Sequence, residues 1–318
     1  MTPKLAGSSS NRRFRFDISR PVFVLLALLL AILVIFPLFW LLYYAFFDGE
    51  GSATFANFFA LILDPTVRRA FGIAILMALG VGTLATIVAT PMAWLVARTD
   101  LPWRGAIRVL VLASFVTPPF LGAIAWEILA APNSGILNDI YRWVTGSEGA
   151  LLNIYTFQGL VFAIACYTFP YVFTLVANAL DRIPSDLEDA SAILGARWST
   201  TLRKVTLPLV LPAMLAGSLI ALLQALTLFG SPAILALPSG FHVITTKIWS
   251  YFQFPPQLGL AAAATIPLLL ITILLLRGQK WILGRKGYTV LSGKGTAART
   301  THLGRMKWPA FGFVGFIL

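Results

Sequence analysis

Long stretches without a charged side chain constrain this chain more than any other feature. Pro21–Phe47, Ala70–Ala97, Val109–Trp126, Gly149–Leu180, Val205–Thr246 and Ile248–Leu276 contain no Asp, Glu, Lys or Arg. A hydrocarbon core of about 30 Å is crossed by about 20 apolar helical residues. The runs alternate at neither period 2 nor period 3.6, so they read as helices surrounded by lipid or by one another. Glu127 interrupts the third run, and the apolar Ile128–Ala131 follow it. The fourth run becomes a span from about Gln158 and the sixth from about Leu258. The fifth is too long for one crossing. Six spans follow, an all-α polytopic membrane bundle. Only 11% of the 318 residues are charged, and 58% are hydrophobic. A soluble domain is about one quarter charged. This chain cannot clothe a water-soluble core, which excludes a disordered chain and argues against a soluble enzyme. A single cysteine, Cys166, forbids an internal disulfide. His242 and His302 are too far apart in sequence to suggest a metal cluster, so no metal ligands are expected.

The positive charge sets an orientation. Lys and Arg total 24 against 12 Asp and Glu. With a cytoplasmic N-terminus and six crossings, only Arg68, Arg69, Arg142 and Lys247 fall outside, and every other basic residue falls inside. That is the asymmetry of the positive-inside rule, and it points to membrane loops rather than to nucleic acid. The first run is too long for a signal-peptide core and lacks a small-residue cleavage site, so it reads as a retained anchor. Residues 308–318 open a further apolar run. As a helix it reaches roughly 16 Å, about half the hydrocarbon core. It is expected to be the start of a seventh span cut short, with an interfacial helix as the alternative.

The loop Asp181–Val205 is the most acidic stretch. Ser185 and Glu188 have the spacing of a capping box, with Pro184 just ahead. Asp186, Glu188 and Asp189 suit the positive end of a helix dipole. Leu187, Ala190 and Leu194 share one face, and Gly195 is a natural helix stop. A short surface helix over 186–194 is expected, then a second helix capped by Ser199. Pro208 and Pro212 mark the entry to the fifth span. From these residues alone, the short helix is equally well read as a rigid loop.

The spacing Asp189-Ala190-Ser191, three residues, Gly195, nine residues, Val205-x-Leu207-Pro208 resembles the EAA signature of ABC importer permeases: Glu-Ala-Ala, three residues, Gly, nine residues, Ile-x-Leu-Pro. Ala190, Gly195, Leu207 and Pro208 are identical, and Asp189, Ser191 and Val205 are mild departures. The resemblance covers residues 20–276. It implies a type I ABC importer bundle in the bacterial inner membrane. It also implies a tail 1–20, a permease domain 21–276 with its coupling loop at 181–205, a linker 277–307 and the opened span 308–318. The implied partners are ABC ATPase subunits, a periplasmic substrate-binding protein and a second permease half, fused or separate, all within membrane lipid. Glu188, Asp189, Ala190, Ser191, Gly195, Leu207 and Pro208 become the ATPase-coupling residues, with Glu188 and Asp189 either capping or pairing with basic groups of the motor. Pro118-Pro119, Trp126, Gly135-Ile136-Leu137-Asn138 and Gly284–Val290 look like the ferric-iron group of these permeases. That makes ferric iron the first expectation for cargo. Thiamine, polyamine, sulfate and phosphonate permeases share the framework.

No catalytic residue is expected. Gly293-Lys294-Gly295 lacks the upstream glycine and the Ser/Thr of a Walker A loop, so ATP and Mg belong to the partner chain and no cofactor is assigned here. Glu127 is the one carboxylate in an apolar stretch, which marks it for function, although its place near the outer interface lets it reach water. Asn178, Gln224 and Thr227 either face a translocation path or bond neighbouring helices. The Pro- and Gly-rich Phe229–Pro256 is either an outer gate or an ordinary loop. An ATP-independent transporter or channel is the rival class, disfavoured by the scarcity of intramembrane charge. An intramembrane enzyme would need clustered polar groups that the spans lack.

Overall fold

The computed structural model describes residues 19–48, 50–285 and 301–318. The tail before Ser19, the Gly293 loop and most of the Gly284–Val290 connection lie outside them. Among the described residues, five helices are long and apolar enough to cross a membrane, and six if one bent pair counts as a span. The expected multi-span all-helical bundle is what forms.

α1 (Ser19–Phe46) turns its apolar side chains outward along its length. Trp40, Tyr43, Tyr44 and Phe47 stack at its end, a placement that suits an interfacial aromatic belt. α2 (Ala56–Leu63) follows, and Asn57 reaches back to the carbonyl oxygens of Tyr44 and Ala45 that end α1. The Asp64 carboxylate then accepts from the Thr66 backbone N–H at 2.8 Å and, with Pro65, starts α3 (Pro65–Arg98).

The third expected span is not continuous. α4 (Arg104–Ala113), extended by one tight turn to Val116, meets α5 (Pro119–Ala130) at a bend of 100°. The cause is local. Thr117 precedes Pro118 and takes an extended ψ of 119°, and Pro118 in turn precedes Pro119. A residue before proline is pushed out of the helical region, and two in succession break the ladder. α6 (Ile136–Thr145) is amphipathic and lies between α5 and α7 (Phe157–Arg182) in the chain. Its fully buried Asn138 donates to the carbonyls of Ala131 and Leu152 and accepts the Leu152 N–H, each at 2.8 Å.

α8 (Ser185–Ile193) and the single turn α9 (Trp198–Thr201) make up the acidic loop. α9 has Arg197 at its N-cap position, without a side-chain cap, so the expected capping role of Ser199 is not what forms. The chain runs through a widened turn, Leu202–Thr206, into α10 (Leu207–Thr227). There the Leu207 N–H bonds the Leu202 carbonyl, five residues back. Pro208 and Pro212 lack the N–H that an α-ladder would use, and such wide turns absorb the mismatch.

α3, α7 and α10 form the centre, where small residues let the backbones close. A Cβ on Gly217 would stand 2.6 Å from the Val172 backbone, and Ser218 donates to the Gly82 carbonyl at 3.2 Å. Lipid gives helices no hydrophobic reason to associate, so close packing of this kind and interhelical hydrogen bonds hold them together.

At the far end from α8, α11 (Gly230–Leu235) folds back against α5 and α7, and α12 (Ile244–Ser250) packs against α3 and the last long helix, burying Ser231, Leu235 and Ile244. α13 (Leu258–Arg285) completes the bundle beside α1 and continues past the expected end of the apolar run at Leu276. The C-terminal run forms α14 (Lys307–Ile317). It packs Val314 into the core near the end of α3, and Thr301 pairs with the backbone at Arg98 and Asp100.

Candidate functional site

Pro184, at φ −61° and ψ 139°, delivers the chain into α8. At the other end the Ala196 N–H bonds Ser191 O and the Gly195 N–H bonds Ala192 O. With Gly195 at φ +77°, this pair of bonds is a Schellman stop, the conformation for which glycine is suited. The helix is thus one residue displaced from the expected 186–194 and is stopped by the expected glycine.

Its orientation is inverted relative to an ordinary surface helix. Leu187, Ala190, Ile193 and Leu194 are exposed, the last two at 86%. Glu188, Asp189 and Ser191 are half-buried on the side toward the protein, while Asp186 in the first turn is exposed. Ser191 Oγ is 2.8 Å from Thr201 Oγ1, and Glu188 Oε1 accepts from the Thr206 hydroxyl at 3.0 Å. Glu188 also lies 3.8 Å from Nη2 of Arg98, which is 1% exposed and donates to the Ile183 carbonyl at 2.9 Å. Glu188 is therefore turned inward in this conformation, toward Thr206 and Arg98 rather than toward a partner, one of the two roles expected of it. The capping box would need the Ser185 side chain, which lies outside the described residues. Asp189 is partly buried on the same helix. Leu207 opens α10 with Pro208 as its next residue, so both belong to the helix that follows the loop rather than to α8. On the neighbouring helices, Arg108 grips the Asp181 carboxylate with two hydrogen bonds, at 2.6 and 2.9 Å, joining α4 to the end of α7.

A second polar feature lies on the outside of the bundle. Gln224 and Thr227 are exposed one turn apart on α10, and Gln224 Nε2 donates to Tyr171 Oη at 2.8 Å. Asn178, also exposed, lies two turns beyond Tyr171 on the same stripe of α7. The structure thus gathers Gln224 and Thr227 on one face with Tyr171 and places Asn178 along the same helix. Glu127 is held apart from this grouping. Its carboxylate accepts from the Tyr155 hydroxyl at 2.5 Å, and this bond is the main reason the Tyr155 phenol is pushed up to about 12. Arg98, Thr206 and Tyr171 were not singled out by the sequence reading. A charge at the end of an apolar run was the only signal for Arg98, and many cytoplasmic arginines carry the same one. Among the described residues, no His, Cys, Asp and Glu are grouped so as to hold a metal ion.

Apolar spans packed on a small-residue centre, with a short glycine-stopped helix on one loop, describe a polytopic membrane protein. Residues 89–287 match the family of binding-protein-dependent transport system inner membrane components, and the chain belongs to that family. It is thus a multi-pass inner-membrane permease of ABC importer type and a transporter subunit rather than an enzyme. It is 30% identical over 223 residues to the molybdenum transport system permease protein ModB of Mycobacterium tuberculosis, covering 70% of this chain and 82% of that protein. It is 25% identical over 226 residues to the sulfate transport system permease protein CysT of Salmonella typhimurium, covering 71% and 79%. A solved bacterial ABC transporter involved in the import of the acidic polysaccharide alginate shares the fold, with a TM-score of 0.65 at 18% identity over 84% of this chain and 96% of that one.

Proposed function

We propose that this chain is one permease half of a type I importer that passes a small substrate from a periplasmic binding protein to the cytoplasm by alternating access. A separate ATPase drives it through α8. The observation that carries this reading is the inverted helix. Its apolar tip faces away from the bundle while its polar side faces in, an arrangement that is costly in water unless a partner covers the tip. Glycine-stopped and proline-started, α8 moves as a unit. The N-terminus is cytoplasmic, as the distribution of arginine and lysine favours. The Tyr171–Gln224 face with Thr227 and Asn178 lines the path against the second permease half, and α11–α12 form the outer gate.

For the cargo, the sequence resemblance favoured ferric iron. The names of the relatives above favour molybdate or sulfate, and none of them is an iron permease. A small tetrahedral oxyanion is therefore the preferred cargo. Titrating the system's binding protein with molybdate, sulfate and ferric iron tests this choice, and tight binding of ferric iron alone would reverse it.

Gly195→Trp tests the coupling role. A Cβ at Gly195 meets nothing within 4 Å, so the substitution carries only the left-handed backbone penalty of roughly 1–2 kcal/mol. The expected result is an assembled importer that hydrolyses ATP but takes up substrate at least about tenfold more slowly. Uptake at the normal rate would remove α8 from the coupling role.

A further inference from the structure

Arg98 ends α3 and is almost wholly buried, yet it is incompletely paired. Nη2 donates to Ile183 O, while Nε and Nη1 have no hydrogen-bond partner. Guanidinium donors left without acceptors in a buried site are costly, so a native protein retains them for a reason. The nearest carboxylate, Glu188, is 3.8 Å from Nη2, too far for a charge-assisted hydrogen bond, which forms at about 2.7–2.9 Å. Glu188 is meanwhile held by Thr206, just ahead of α10. The pair sits beside a cavity of about 550 Å³ between α8, α9 and the end of α3, lined also by Trp94, Ala192, Trp198 and Thr201. There is room behind α8 for the helix to move toward Arg98.

We propose that Arg98 is the positioning residue that transmits the stroke of the coupling helix to α3, through an ion pair with Glu188 that stands at 3.8 Å without a hydrogen bond in this conformation and tightens when the motor presses α8 inward. Closure brings the carboxylate onto Nη2 together with one of its unpaired neighbours, Nη1 or Nε, the pairs of parallel N–H groups from which arginine makes a two-pronged bond. Glu188 lies between the donors of α3 and the hydroxyl of Thr206. Closing the pair therefore moves α8, α3 and the entrance to α10 as one piece. The Arg98–Ile183 bond fixes the guanidinium against the preceding turn, so that it resists the push. Because α3 and α10 are packed through Gly82 and Ser218, the movement reaches the helix that carries Gln224.

This inference rests on the coupling role proposed for α8. It is tested in the assembled importer by the factor by which the binding protein raises ATP hydrolysis. Arg98→Gln and Glu188→Gln are each expected to cut that factor at least about fivefold. The double variant is expected to be no worse than either single one, because both break the same link. Arg98→Lys keeps the charge but loses the fork and is expected to recover only part of the factor. Co-purification of the ATPase, with an unchanged assembly size, separates this loss from misfolding. Should Arg98→Gln fail to assemble, Arg98→Lys and Glu188→Gln with their double variant supply the same cycle. Wild-type stimulation in the single variants, or losses that simply multiply in the double, would overturn the proposal. If ATPase docking and stimulation are intact while Gly195→Trp also transports normally, it is the coupling role of α8 that fails, and not Arg98 alone.

Discussion

The two ends of the bundle are built on opposite plans. At the far end, α11 and α12 are folded into the protein. Gly230 is so tight against Phe120 that a Cβ would approach to 2.9 Å, and Ser231 donates to the Pro119 carbonyl at 3.0 Å. Asn138 ties a third segment there with every amide group engaged. At the α8 end, the helix touches its neighbours through a few polar contacts, leaves space behind it and shows its apolar side to the exterior. One end is fixed by packing, which transmits strain without yielding. The other is held by a few polar contacts, hydrogen bonds of 2.8 and 3.0 Å and one ion pair at 3.8 Å. A region built to shift carries less buried apolar contact than one built to stay.

Substitutions in the centre and at the packed end should damage the fold, and substitutions at the lever should damage only communication. The largest effect is expected for Gly217→Leu, which drives a side chain into the Val172 backbone. The loss should exceed the roughly 1–3 kcal/mol of ordinary overpacking and abolish recovery of folded protein, read by size-exclusion in detergent. Asn138→Ala comes next, at about 1–3 kcal/mol for each buried group left unpaired. A thermal shift with no change in ATPase affinity is its expected signature. Leu194→Asp should leave the stability within about 0.5 kcal/mol of wild type, as surface changes do. It should nonetheless weaken ATPase binding at least about tenfold in a pull-down titration. Equal stability losses at Asn138 and Leu194 would erase the contrast.

The smallest effect concerns how α14 is tethered. The Leu303 N–H, then His302 and Lys307, hold the Asp100 carboxyl below its ordinary value of 3.8. Because the docked state prefers the charged form, its contribution is complete above that value and is lost as pH falls through the lower docked one. Hydrogen exchange in residues 303–317, corrected for intrinsic rates, should rise only in that acidic window. Asp100→Asn should show the increase already at neutral pH.

Much of this was legible in the chain because it is written locally. Charge-free runs located the spans, and proline ahead of an acidic turn with glycine behind it located α8 to within one residue. The break at Thr117 escaped because hydropathy does not register a bend and both sides remain apolar. The extension of α13 to Arg285 escaped because basic residues there resemble a loop, although they propagate a helix readily. The Arg98–Glu188 link joins residues 90 positions apart and depends on how α3, α8 and α10 converge, which no local pattern encodes. The inward turn of Glu188 was hidden for the same reason.

The inverted amphipathicity of α8 also bears on how such a subunit is assembled. By itself the chain displays Ile193 and Leu194 at the exposed end of α8. Bare greasy tips are what quality-control proteases and chaperones select. On the coupling role proposed for α8, an orphan copy advertises its own vacancy and an arriving ATPase conceals it, which polices subunit stoichiometry without a dedicated regulator.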